Sequence, residues 1–272
     1  MGVRESSGEI EVRGRRLAWR AHGTGPPLLL VNGYAATGAD WDPIFLGLLG
    51  RAHEVICPDN RGLGGSQSGR EDLTVDGMAA DLEALLDVLQ IDRLPVAGWS
   101  MGGFVAQRLA RRAPHRVTAL ALIATDPGGP DAVPAASEVW QRLTDRTGSA
   151  REQASRLIPL LFPPALAPEI DHQFGELIAE GRAAMAPDAL AGQERAMAAW
   201  HEHGVDGAGE AERLPVLVVH GAEDAVIPAA NAARLASHWP GARIELVPGA
   251  AHAVMAQEPQ RVASAIGELL GS

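Results

Sequence analysis

The residue with the clearest chemistry is the serine of Gly98-Trp99-Ser100-Met101-Gly102. An apolar run, residues 94–97, leads into it, and Gly103 with a helical run follows. In a strand-turn-helix elbow the serine backbone is strained, so the residues two before and two after it must carry almost no side chain. Gly98 and Gly102 meet that demand. The hydroxyl then stands above a sheet edge at the N-terminus of a helix, where the positive end of the dipole favours a developing oxyanion. The alternative, an incidental Gly-rich turn, leaves the flanking strand and helix unexplained.

A serine hydroxyl is a weak nucleophile until a base takes its proton, and that base needs an acid to fix its tautomer. Nine histidines compete for the first role. His252, in Gly249-Ala250-Ala251-His252, falls in the loop between the last strand and the last helix, at the same carboxyl edge as Ser100. His220 ends a strand and reads as structural. His201 and His203 flank Glu202; with no third ligand spaced beside them they read as a solvated helix face rather than a metal site. For the acid, Asp224 closes the penultimate strand and gives the chain order serine, acid, histidine. Glu223 and Asp126 stay open as alternatives, and the non-catalytic reading of Asp126 is a cap for the helix that follows.

These residues need a scaffold, and the sequence supplies one. Short apolar runs at 28–31, 54–57, 94–97, 119–123, 216–219 and 244–247 read as strands buried on both faces of a parallel sheet. Helical patterns alternate with them: residues 75–89 place Met78, Leu82, Leu85, Leu86 and Leu89 on one face, and 104–110 runs into a stop at Pro114. Strands alternating with helices predict an open, mostly parallel α/β sheet covered on both faces. Residues 9–13 and 16–21, joined across Gly14, predict an antiparallel hairpin at its edge. From 131 to 212 no strand pattern occurs, and Pro163-Pro164, Pro168 and Pro187 divide the stretch into short helices. The expected organisation is a core of 1–130 and 213–272 with a helical cap of 131–212.

Composition narrows the function further. The chain has 272 residues, 46% hydrophobic and 21% charged, enough for one large core. Its formal net charge of -11 would repel a phosphate backbone, so nucleic acid is not an expected partner. No apolar stretch approaches the ~20 residues that cross a bilayer. Met1 to Ser6 lacks a secretion signal's apolar region, so a cytoplasmic location is expected, and the loose myristoylation match there reads as incidental. Cys57, the single cysteine, reads as a small buried strand residue. Homo-oligomerisation is left open.

The elbow, Asp224 and His252, in that order, resemble the α/β-hydrolase fold, specifically its bacterial esterase, enol-lactonase and cofactor-free haloperoxidase branch, over nearly the whole chain. The absence of lysine fits GC-rich bacterial coding. Residues 59–66, Asp-Asn-Arg-Gly-Leu-Gly-Gly-Ser, are similar to the family's loop after the fourth strand. The resemblance implies an oxyanion hole from the backbone amides of Met101 and Tyr34, the latter in Asn32-Gly33-Tyr34-Ala35-Ala36. The family usually has His-Gly where this chain has Asn32-Gly33, so the bracing of that loop must differ. Trp41 looks like the family's core tryptophan.

A serine nucleophile favours acyl transfer over the aspartate chemistry of related dehalogenases and epoxide hydrolases. The expected function is hydrolysis of a carboxylic ester of a small to medium hydrophobic substrate, with no metal and no organic cofactor. A lactonase, a carbon-carbon bond hydrolase or a perhydrolase would use the same triad, and a ligand receptor with a retained triad is a further alternative. Apolar candidates to face the substrate are Trp99 and, from the insertion, Trp140, Leu157, Leu161, Phe162, Phe174, Met185, Met197 and Trp200, although helical spacing alone favours a role for most of the insertion residues in holding the cap helices onto the core.

Overall fold

The computed structural model describes residues 5–69, 71–205 and 214–272. Eight strands form one sheet: β1 (Glu5–Val12), β2 (Arg15–His22), β3 (Pro27–Val31), β4 (Glu54–Pro58), β5 (Leu94–Trp99), β6 (Val117–Ile123), β7 (Val216–Gly221) and β8 (Arg243–Val247). Their spatial order is β1-β2-β4-β3-β5-β6-β7-β8. The pairs from β4 through β8 are parallel, whereas β2 pairs antiparallel with both β1 and β4. The edge hairpin expected from Gly14 is present and turns on Arg13 and Gly14, both at positive φ (50° and 73°), the two-residue geometry that matches strand twist.

Alternate residues of each central strand face opposite layers. Leu29 and Val31 pack with α2 (Val75–Val88) and α3 (Met101–Arg112), while Leu28 and Leu30 pack with α1 (Pro43–Leu49) and the C-terminal helices α9 (Val254–Gln257) and α10 (Pro259–Leu270). Thr74 caps α2, its side chain accepting from the Gly77 N–H. Trp41 is buried beside Phe45 and Trp99, and burial of the Cys57 thiol raises its pKa.

Among the described residues between β6 and β7 are four α-helices: α4 (Ser137–Thr144), α5 (Ala150–Leu161), α6 (Ala167–Ala183) and α7 (Pro187–His203). α6 and α7 have 17 residues each and are longer than the prolines led one to expect. Pro168 and Pro187 sit in first turns, where the missing N–H has no intrahelical partner to lose, so they start helices instead of cutting them. α8 (Asn231–His238) follows β7. The expected boundary at 212/213 and residues 1–4 lie outside the described residues. Among the described residues no helix is long and apolar enough to cross a membrane.

The register decides where loops meet. Val31 aligns with Gly98, and Gly98 with Leu122. The carboxyl ends of β3, β5 and β6 therefore finish level, and the loops after β3, β5, β7 and β8 emerge at one edge.

Candidate active site

Ser100 stands between β5 and α3 with φ 55° and ψ -125°, a conformation that costs about 1–3 kcal/mol and persists only where the surroundings impose it. They do so here. The Ser100 N–H donates to the Ile123 carbonyl at 2.9 Å, and the Thr125 hydroxyl donates to the Ser100 carbonyl at 2.8 Å. The flanking glycines are a packing requirement: a Cβ on Gly98 would lie 2.4 Å from the Gly102 carbonyl oxygen, and one on Gly102 would lie 2.1 Å from that of Val31.

His252 Nε2 lies 2.9 Å from Ser100 Oγ, and its Nδ1 lies 2.8 Å from Asp224 Oδ2. All three residues are buried. The Trp99 indole N–H donates to the His252 carbonyl at 3.0 Å, which holds the histidine's backbone over the elbow. Asp224 Oδ1 accepts the Val226 and Ile227 N–H groups, both at 2.9 Å. Burial alone would raise the Asp224 pKa, but the His252 charge and hydrogen bonds from His220 and His252 outweigh it and lower the pKa to about 2.

Of the alternative acids, Glu223 is exposed, and Asp126 is engaged elsewhere. His220, read as merely structural, is fully buried with Nε2 2.7 Å from the Ile227 carbonyl and 3.4 Å from Asp224 Oδ2. A carbonyl partner requires the proton on Nε2, so His220 presents an N–H to the carboxylate's side. The four-residue spacing of His220 and Asp224 was the available signal.

Met101 is the first residue of α3, so its N–H has no intrahelical acceptor. A Cβ on Gly33 would meet Ser100 Cβ at 3.3 Å, which sets the loop carrying Tyr34 against the serine. The Asn32 side chain donates to the Pro58 carbonyl at 2.6 Å, and the Asn60 side chain donates to the Asn32 carbonyl at 3.2 Å. The remaining support comes from α7. Gln193 Oε1 accepts the Ala35 N–H at 2.9 Å, and the Tyr34 hydroxyl donates to Glu194 at 2.7 Å. Burial and that hydrogen bond raise the Tyr34 pKa, so the phenol stays neutral.

A cavity of about 150 Å³ opens on Ser100 and His252. Trp99, Trp140, Leu161 and Met197 line it, as does the Tyr34 ring. Phe162, Met185 and Trp200 are not in its wall, and neither are Leu157 and Phe174. Trp200 packs behind the wall, stacked on Phe104 at 5.1 Å with its N–H on Asp126, both of which line the cavity; Met185 packs beside Leu63 and Leu190. Phe162 leaves α5 in an extended conformation one residue past Leu161, and Phe174 is exposed. Helical spacing identified the apolar face of each helix but not which neighbour that face meets.

His201 and His203 lie on a face open to solvent, their side chains 37% and 64% accessible, but the His201 ring also lines the cavity, with Nε2 3.1 Å from Asp126 Oδ2. Asp126 does not cap the first inserted helix, because its Oδ1 takes the Gly128 N–H at 2.8 Å in a local turn. Among the described residues no group of three or more His, Cys, Asp or Glu side chains could hold a metal ion.

A family model described as the alpha/beta hydrolase fold matches residues 26–158. The crystal structure of a hydrolase from Pseudomonas aeruginosa PA01 is 30% identical, with a TM-score of 0.82 and 98% of each chain covered. A putative non-heme bromoperoxidase of Mycobacterium tuberculosis is 28% identical over 275 residues, covering 94% of this chain and 98% of that protein. The enol-lactonase from Burkholderia xenovorans LB400 shares the fold at TM-score 0.83 and 22% identity, over 97% of this chain and 100% of that one.

Proposed function

Because the chain belongs to the alpha/beta hydrolase fold family, we propose that it is a serine hydrolase that cleaves a carboxylic ester through an acyl-enzyme on Ser100. The observation that carries this reading is the relay from Ser100 Oγ through His252 to Asp224, at 2.9 and 2.8 Å.

Ser100 Oγ attacks the ester carbonyl carbon while its proton passes to His252 Nε2. The oxyanion accepts hydrogen bonds from the backbone N–H groups of Tyr34 and Met101. Collapse of the tetrahedral species breaks the bond to the alcohol, and His252 returns the proton to the departing oxygen. Water then attacks the acyl carbon, giving its proton to His252; Ser100 Oγ departs, recovers that proton, and the carboxylic acid leaves. Asp224 stays ionised throughout and keeps the proton on His252 Nδ1.

The helices between β6 and β7 act as a cap that selects the substrate. A cavity of about 150 Å³ with mostly apolar walls falls below the ~300–1,000 Å³ of drug-sized ligand sites, which supports a small acyl or alcohol group. A fluorophosphonate probe tests the nucleophile: displacement of fluoride by Oγ should give a stoichiometric adduct on the peptide containing Ser100, lost in His252→Ala. A folded wild-type protein that stays unlabelled argues against the assignment.

A further inference from the structure

We propose that His201 and Asp126 form a polar subsite in the same cavity, which takes a hydroxyl group carried by the substrate away from its scissile bond. The proposal rests on the hydrolase reading of Ser100 and names a class of ester for it.

The cavity wall is otherwise largely apolar, with Phe104, Val133, Trp140, Leu143 and Met197 among its residues. A carboxylate and an imidazole set into such a wall are costly unless each polar atom finds a partner. Asp126 does: Oδ1 accepts from the Gly128 N–H at 2.8 Å and the Trp200 indole at 3.1 Å, and Oδ2 faces His201 Nε2 at 3.1 Å. His201 is less enclosed, with 37% of its side chain accessible: its Nε2 is committed to Asp126, while Nδ1 has no protein hydrogen-bond partner among the described residues and is free for solvent or a ligand. The ring is nevertheless held, edge-on to Phe104 at 5.6 Å and to Trp140 at 6.3 Å. A fixed ring with one committed nitrogen, in the wall of the cavity that holds Ser100, is a preformed hydrogen-bonding position.

The chemistry of the ligand group follows from the two nitrogens. With the Nε2 proton directed at Asp126, Nδ1 accepts a hydrogen bond in the neutral ring and donates one in the charged ring. A hydroxyl matches either state because it both donates and accepts. A carboxylate only accepts, and it would sit near the buried carboxylate of Asp126, where like charges repel strongly.

The test compares ester pairs that differ by one hydroxyl: p-nitrophenyl butanoate with its 3-hydroxy counterpart for the acyl side, and butyl with 4-hydroxybutyl butanoate for the alcohol side. The quantity read is the ratio of kcat/KM, hydroxylated over plain, in wild type and in two variants. His201→Phe keeps the ring packing and removes both nitrogens. His201→Gln places an amide N–H where Nε2 was, keeping the bond to Asp126, and has nothing at the Nδ1 position. In at least one pair both variants should lower the ratio roughly tenfold, the loss of one hydrogen bond. Ratios unchanged in both pairs for the folded Gln variant overturn the subsite while leaving the hydrolase reading intact. Absence of any Ser100-dependent turnover of all four esters overturns that reading and the subsite with it.

Discussion

Asp224 shows how one residue serves both stability and chemistry. Its pKa, about 2 in the folded protein, lies below the ordinary aspartate value near 3.9. A group depressed on folding stabilises the protein fully above its unfolded pKa, and that contribution disappears as pH falls toward the folded value. The wild type should therefore lose about 2 kcal/mol between roughly pH 5 and pH 2 through this residue, and urea unfolding across that range should show a shallower decline in Asp224→Asn. The same variant should lower kcat about 10³ to 10⁴-fold with little change in KM, because the amide cannot hold the Nδ1–H tautomer of His252; steady-state kinetics on one ester decides it. Ser100, Asp224 and His252 could be picked out in the sequence because chain order and strand-end position constrain them. His201 and His220 could not be assigned in the same way. Their partners, Asp126 and the Ile227 carbonyl, are met through packing that no periodicity encodes.

The elbow and helix α7 are the two elements that set the site's geometry. A Cβ at Gly102 would lie 2.1 Å from the Val31 carbonyl oxygen, a backbone atom that cannot give way. Gly102→Ala should cost at least about 3 kcal/mol of stability, in the range of severe core overpacking, readable as a drop in the urea midpoint. Helix α7 holds the loop after β3 through Gln193 on the Ala35 N–H. Gln193→Ala should lower the acylation rate roughly tenfold, as a displaced oxyanion donor would, while far-UV circular dichroism stays unchanged; an unaltered acylation rate would show that the loop holds itself. The strands were readable because apolar runs between turn residues have few other interpretations. The inserted helices were harder, since Pro168 and Pro187 mark beginnings as readily as breaks.

At the scale of the whole molecule, strand register brings together loops from distant parts of the chain, and the insertion is tied to the same edge. The Leu161 carbonyl at the end of α5 accepts from the Ala253 N–H at 2.9 Å and from the Gln257 side chain at 3.1 Å, both in the segment that directly follows His252. The inserted helices and the segment that carries His252 thus share a contact. The central claim is that this edge supports an acyl-enzyme on Ser100. Rapid mixing with p-nitrophenyl acetate, butanoate and hexanoate, in wild type and Ser100→Ala, tests it most directly. The account predicts a burst approaching one nitrophenol per protein molecule, followed by slower turnover, with both phases absent in the variant. Nitrophenol release that persists undiminished in Ser100→Ala would contradict it.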